Sequence, residues 1–304
     1  MKTVMIGIPA YNESNTIVQL LKSIQSQKQK GFVIDKIVVV CDGSSDGTAE
    51  KVNEIMASDS RLHVIDDKKR LGKSARLNNL YRMNTSDILI TFDADIALAT
   101  PDSLEKMISY FNEKNISLVS GNGIPTKAEN YIHHIINTWY NLWYFTRKDY
   151  NNGDTIHNIH GNMSALRKDF ADKVTYPSGI TSDQDFLYMS AKKMNVGFHF
   201  AKEATFYVSN PDNIGDFYMQ ASRFVDEKEK MKALFGAWIP ELYYIPASYK
   251  IKKMLQYALS QPISAAVATF VYVWFAFLPH RHDALNEQGM WQAAKSTKKI
   301  IQQI

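Results

Sequence analysis

Residues 88–96 read ILITFDADI, and this stretch limits the possible folds more than any other. Five mostly apolar residues run without a break into two carboxylates, Asp93 and Asp95, with Ala94 between them. A short continuous apolar run is the pattern of a strand covered on both faces. The carboxylates then sit where the strand leaves the core, and alternate residues of an extended chain point the same way. Two like charges held so close repel unless a positive charge lies between them. Hard divalent cations take oxygen ligands, commonly one or two carboxylates plus the phosphates of a substrate. A polar strand end spells the same three letters, so the neighbouring segments decide between the two readings.

Those segments alternate. Residues 3–8 read as a strand ended by Pro9, and 14–27 as a helix with Ile17, Leu20, Leu21 and Ile24 at helical spacing. Residues 35–41 are a second buried strand, 48–56 a second helix, 62–65 a short strand and 74–83 a third helix. After the strand at 88–92, Pro101 opens a helix that reaches Phe111. Strand and helix in alternation predict a mostly parallel sheet covered on both faces. Ligands of such sheets collect at the carboxyl ends of the strands. The loops Pro9-Ala10-Tyr11-Asn12-Glu13, Asp42-Gly43-Ser44-Ser45-Asp46-Gly47 and Asp93-Ala94-Asp95 each follow a predicted strand, so all of them should line one edge. A single loop of this composition is ordinary turn chemistry. Several on one edge, one carrying a carboxylate pair, predict a site for a phosphorylated ligand with a metal. Lys73, after Gly72 and just before a helix, offers that ligand a cation or else simply faces solvent.

Composition narrows the class. The apolar content of 45% over 304 residues supports a substantial core, as one large or two modest domains. A single cysteine, Cys41, excludes a disulfide framework and fits a reducing compartment. The opening Met-Lys-Thr leads at once into a strand-like run, from which a cytosolic catalytic part is expected. Residues 226–304 hold ten Lys and Arg against six Asp and Glu, which is the whole of the net charge of +4. A neutral body with a basic tail argues against nucleic-acid binding.

The ordered set PAYNE at 9–13, CDGSSDGT at 41–48, RLGKSARLN at 70–78 and DAD at 93–95 resembles family 2 glycosyltransferases of the GT-A fold. The resemblance implies an α/β fold with a mostly parallel, Rossmann-like central sheet flanked by helices. It implies a nucleotide-sugar donor, with UDP favoured, held by Pro9, Ala10, Tyr11, Glu13, Asp42, Lys73, Asp93, Ala94 and Asp95. Asp95, with Asp93, would bind Mg²⁺ or Mn²⁺ on the diphosphate. Many members carry two acids before the Gly-Ser pair; here the first is Cys41.

The second part of the chain carries further likenesses. Residues 132–150 are rich in aromatics at helical spacing, which fits core packing or a surface dipping into a membrane interface. His157 and His160 have the chemistry to reach a metal but bring no further ligands. Gly161 and Asn162 resemble the family's acceptor-side loop. The stretch ITSDQDFL at 180–187 aligns with a Thr-Glu-Asp stretch of the family's synthases, so Asp183 matches the catalytic aspartate and Ser182 replaces the glutamate before it. Both residues would also cap a helix. A sugar hydroxyl is a poor nucleophile until a base takes its proton; Asp183 is expected in that role, with Asp185 second. QASRF at 220–224 resembles the QxxRW signature, with Phe224 where tryptophan is usual. Arg223 would pair with the donor diphosphate through its fork geometry, and Gln220 and Phe224 would contact the acceptor.

Residues 254–279 contain no Asp, Glu, Lys or Arg, and 265–278 are strongly apolar. Lys250, Lys252 and Lys253 precede the run; His280, Arg281 and His282 follow it. A spanning helix needs about 20 apolar residues, and Gln256, Ser260, Gln261, Pro262 and Ser264 shorten the apolar part. The expectation is a catalytic domain over 1–225, divided into a nucleotide-sugar half (1–125) and an acceptor half (126–225). A helical, membrane-associating region would follow over 226–304. The enzyme would be metal-dependent and inverting. It would glycosylate a lipid or lipid-linked acceptor at the cytoplasmic face of the cell membrane, attached peripherally or by a single pass, without nucleic-acid partners. A non-catalytic nucleotide-sugar-binding protein, or a transferase for a soluble or polysaccharide acceptor, is the alternative. A dehydrogenase would want G-x-G-x-x-G after the first strand, and Pro9–Glu13 is not that.

Overall fold

The computed structural model of the protein describes residues 1–276 and 295–301; within them the side chains of 221–227, 272, 274–276 and 295 lie outside the described set. In chain order the first elements are β1 (Lys2–Ala10), α1 (Ile17–Gln25), β2 (Phe32–Cys41), α2 (Thr48–Met56), β3 (Leu62–Asp66), α3 (Lys73–Met83), β4 (Ile88–Phe92), β5 (Ile96–Leu98) and α4 (Ser103–Ser109). After them come β6 (Ile116–Pro125), α5 (Tyr131–Arg147), β7 (Met163–Arg167), α6 (Lys168–Ala171), α7 (Asp183–Lys193) and β8 (Gly197–Val208). The chain continues with α8 (Ile214–Phe235), α9 (Ile239–Leu242), α10 (Ala247–Ser260) and α11 (Pro262–Ala276).

One eight-stranded sheet runs in the order β3-β2-β1-β4-β7-β6-β8-β5. Its first half is parallel: β1 pairs with β2 and β4, and β2 with β3. All five residues of β4 are buried, as the continuous apolar run predicts. The second half departs from the predicted pattern. Here β7 inserts antiparallel between β4 and β6, and the short β5 pairs antiparallel with β8, while β6 and β8 are parallel. Apolar side chains on the two faces form separate cores, one under α1, α2 and α4 and the other under α3, α6 and α7.

From β1 the chain moves outward to β2 and β3 and then returns to β4 on the other side of β1. The strand order therefore reverses between β1 and β4, which is where ligands enter such sheets. Pairing of β1 with β4 ends at Gly7↔Thr91, whereas pairing with β2 continues to Ala10↔Cys41. Pro9 thus lies where β1 has only one partner strand, a position that tolerates a residue without an N–H.

Helix α8 runs unbroken through residue 225, and α10 and α11 pack back on α5 through Leu142, Tyr257, Ala265 and Ala268, with Val271 against Ile136 and Phe217. The aromatics of α5 serve this packing: Trp139 and Tyr140 meet Phe217, and Phe145 meets Tyr257. The uncharged run is two helices, because Gln261 ends α10 and Pro262 starts α11, where a missing N–H costs nothing. Among the described residues no helix is long and apolar enough to cross a membrane. Residues 277–279 of the run, with His280, Arg281 and His282, lie outside the described residues.

One buried ion pair holds the parallel half together. The side chain of Arg76 is fully buried on α3; its Nε donates to the buried Asp42 at 2.9 Å, which makes the pair, and its Nη2 also reaches the exposed Asp67 at 2.7 Å. Removing one partner of such a pair leaves an uncompensated buried charge. Arg76→Met should therefore lower the unfolding free energy by about 3–5 kcal/mol. Urea unfolding measures this; a loss below ~1 kcal/mol would show that Asp42 does not depend on Arg76.

Candidate active site

The first two loops are stitched into one surface. Asn12 takes a left-handed conformation, φ 53°, which turns the chain sharply after β1. Its N–H donates to Ser44 Oγ at 3.1 Å, and its side-chain oxygen accepts from the Ser45 N–H at 2.9 Å. The N–H groups of Glu13 and Ser14 donate to Thr48 Oγ1 and Asp46 at 2.9 and 3.0 Å. Asp42 supports this surface from below. Its carboxylate accepts from the Leu71 and Gly72 N–H groups at 2.7 and 3.0 Å as well as from Arg76. The Arg70 guanidinium lies 3.1 Å from the centre of the Tyr11 ring. Cys41 is buried, and burial pushes its thiol pKa up to about 12, so it stays neutral.

Above the carboxyl end of β4 the charged residues converge. The Lys73 ammonium, at the first position of α3, lies 2.5 Å from Asp93 Oδ1 and 3.0 Å from Asp183 Oδ2. A single lysine thus joins the carboxylate pair to the first residue of α7, 90 residues away in the chain. Asp93 is also fixed by Asn162, whose side-chain amide donates to Oδ2 at 3.1 Å and whose carbonyl accepts the Asp93 N–H at 3.0 Å. Gly161 closes the cluster: its N–H donates to Gln184 Oε1 at 3.1 Å. A Cβ on Gly161 would lie 2.8 Å from Asp183 Oδ2, so only glycine lets Asp183 sit where it does. Ala94 is buried and leaves both carboxylates unobstructed.

Burial raises the pKa values of Glu13, Asp93 and Asp95, and mutual repulsion adds to it, Asp95 acting on Asp93 and Glu13 on Asp95. The Lys73 ammonium is disfavoured by burial, but the charges of Asp183 and Asp93 outweigh this and hold its pKa above the ordinary value. Among the described residues, Lys73 pairs with Asp93 and Asp183, and Lys298 with Glu13. Such an excess of carboxylate fits a hard divalent cation at Asp93 and Asp95. Among the described residues no group of three or more His, Cys, Asp or Glu forms a metal cage, so a ligand's own oxygens would complete the coordination.

Other predicted residues lie apart. Asp185 is buried and accepts from the Tyr243 hydroxyl at 2.7 Å. His157 meets the Tyr243 carbonyl at 3.1 Å, and His160 meets Arg147 at 3.2 Å. Burial holds the pKa of His157 down to about 4 and that of His160 to about 3. Their partners differ, and among the described residues no hydrogen bond joins either histidine to Asp93, Asp95 or Asp183. Gln220 accepts a long hydrogen bond, 3.5 Å, from Tyr140. Arg223 and Phe224 ride on α8 with their side chains outside the described residues. Two contributors escape sequence reasoning. Gln184 lies inside ITSDQDFL, between the two acids that carry the resemblance. Lys298, in the tail, carries no motif at all, yet its ammonium reaches Glu13 Oε1 at 2.6 Å.

Residues 5–175, more than half of the chain, match the family described as Glycosyl transferase family 2. An N-acetylglucosaminyltransferase of Bradyrhizobium elkanii is 30% identical over 123 residues, 40% of this chain and 66% of that protein. The undecaprenyl-phosphate 4-deoxy-4-formamido-L-arabinose transferase of Pectobacterium atrosepticum is 28% identical over 115 residues, 37% of this chain and 35% of that one. A poly-beta-1,6-N-acetyl-D-glucosamine synthase of Staphylococcus aureus is 30% identical over 116 residues, 38% of this chain and 27% of that one. This chain spans about a quarter to two thirds of the length of these relatives. A mannosyltransferase of Pyrobaculum calidifontis, solved with GDP-Man and Mn²⁺, superposes with a TM-score of 0.60 at 19% identity, covering 90% of this chain and 80% of that one. That likeness is one of fold, and the fold is GT-A. The matched segment ends beyond β7 and contains both stitched loops, Lys73, the Asp93–Asp95 pair, Gly161 and Asn162, and on that match the chain belongs to glycosyl transferase family 2.

Proposed function

We propose that the protein is an inverting, metal-dependent glycosyltransferase. It moves one sugar from a nucleotide-sugar, UDP-linked by preference, to a hydroxyl or phosphate of a lipid or lipid-linked acceptor at the cytoplasmic face of a membrane. The observation that carries this reading is the Lys73 bridge between Asp93 and Asp183, which brings the carboxylate pair at the end of β4 together with the candidate base at the start of α7. Pro9–Glu13 and the edge of the Asp42 loop form the donor surface. Mg²⁺ or Mn²⁺ held by Asp93 and Asp95 would neutralise the departing nucleoside diphosphate. Lys73 places a fixed positive charge beside the same oxygens. Asp183 takes the acceptor proton as the new bond forms and the bond from the sugar to the diphosphate breaks. It is preferred to Asp185, whose carboxylate is buried against Tyr243. Gly161 and Asn162 face the acceptor, and Gln220, Arg223 and Phe224 keep the diphosphate and acceptor roles that their motif implies.

Two features support the lipid acceptor. Ile251, Leu255 and Leu259 recur every four residues on α10 and are exposed, and Ile263, Phe270 and Val273 continue the apolar surface along α11. Lys252 is exposed beside this stripe, whereas Lys253 is turned to Asp149 at 3.4 Å and is spent within the protein. A helix pair with one apolar face and adjacent lysines suits the plane of a membrane interface. The Pectobacterium relative is named for an undecaprenyl-phosphate acceptor.

Asp183→Asn should lower kcat on the order of 10²–10⁴-fold while leaving donor binding nearly intact. Release of UDP from a UDP-sugar in the presence of acceptor and Mn²⁺ measures it, and full turnover by the variant would remove Asp183 from the mechanism. For the membrane, full-length protein should float with anionic liposomes, and the Leu255→Asp/Leu259→Asp variant should stay at the bottom of the gradient. Equal recovery of the two with lipid, or neither floating, leaves a soluble acceptor.

A further inference from the structure

We propose that Lys298 is a positioning residue for the donor loop, carried there by the segment 295–301, which straps the two halves of the enzyme together. This rests on reading Pro9–Glu13 as the donor-binding loop. The Lys298 ammonium has three N–H donors, and three acceptors meet it: the Tyr11 carbonyl at 2.5 Å, the Asn12 carbonyl at 3.1 Å and Glu13 Oε1 at 2.6 Å. Two successive carbonyls are thereby turned onto one cation, at the point where Asn12 takes its left-handed conformation. The lysine has no donor left over, so it acts on a bound nucleotide through the loop. It fixes the backbone that carries Tyr11, and it offsets the Glu13 charge that would otherwise repel a diphosphate.

The segment around it is anchored on both halves. The Ser296 N–H and Oγ donate to Asp216 at 3.1 and 2.5 Å, and Lys299 pairs with Glu129 at 2.6 Å and Asp212 at 2.5 Å. Glu129 and Asp212 precede α5 and α8, and Asp216 lies in the first turn of α8, all on the acceptor side. At the other end Ile301 is buried, and its backbone exchanges hydrogen bonds with the Gln19 side chain of α1, on the donor side, at 2.7 and 2.5 Å. A segment tethered this way does not need Lys298 to stay docked. The lysine is surplus to the anchoring and is aimed at the loop.

The test uses full-length protein and titrates UDP, and separately GDP, in Mn²⁺ by calorimetry. Lys298→Met should raise the Kd of the nucleotide that wild type binds on the order of tenfold, as loss of charge-assisted hydrogen bonds implies. In hydrolysis of UDP-N-acetylglucosamine its KM should rise by the same factor while kcat stays within about twofold. Lys298→Arg should recover most of the affinity. Unchanged nucleotide affinity in Lys298→Met, or a fall in kcat at constant KM, overturns the proposal. Failure of the wild type to bind either nucleotide sinks the donor-loop reading itself and this inference with it. Should Lys298→Met not fold, Ile301→Ala carries the test: it should weaken nucleotide binding by loosening the strap, and an unchanged Kd overturns the proposal.

Discussion

The described part of this site depends on how its buried carboxylates are matched by ammonium groups. Among the described residues, Lys73 holds Asp93 at the end of β4 and Asp183 at the start of α7, and Lys298 holds Glu13 of the first loop. Carboxylates buried together raise one another's pKa and cost stability unless cations hold them. Lys73 does this for Asp93 and Asp183 at once, which is why the N-terminus of α3 must come so close to that of α7. The negative charge that these two lysines leave unmatched is what a hard divalent cation would offset under the proposed function. A site poised in this way is incomplete by construction and is completed by its substrate.

The parallel half of the fold was legible because its strands are continuous apolar runs and its helices carry apolar residues at helical spacing. Helix α2 and strand β4 fall where those patterns put them. The antiparallel insertions were not legible. Strand β5 has three residues, too few for a period to show, and β7 has five with a serine among them. In β8 the alternation is interrupted by Ala201-Lys202-Glu203-Ala204, at the register shift opposite β6. The candidate site divides along the same line. Loops after parallel strands could be assigned to one edge by topology alone, whereas the meeting of Lys73 with Asp183 depends on the path of the chain between β7 and α7. Lys298 could not be found by any local rule, because what makes it a site residue is where the strap lies.

The helical extension also reads differently in three dimensions. An uncharged run of this length invites the idea of a single span, but Gln261-Pro262 breaks it into two helices. Part of its apolar surface is then used up against α5. Among the described residues, what remains exposed is an apolar stripe on an otherwise packed helix pair. Because α5 leads through Arg147 to the loop that carries Gly161, the same packing links that stripe to the edge of the catalytic pocket.

The strap has a consequence for how the protein comes into being. The carbonyls of Tyr11 and Asn12 are separated from the ammonium that pins them by 287 and 286 residues. At a synthesis rate of about 5–20 residues per second, the donor loop waits roughly 15–60 s on the ribosome before its clamp is even made. During that time β1, β2 and β4 can pair and bury their apolar faces, while Glu13 stays without its cation. The strands can therefore pair before residues 295–301 exist to reach the loop.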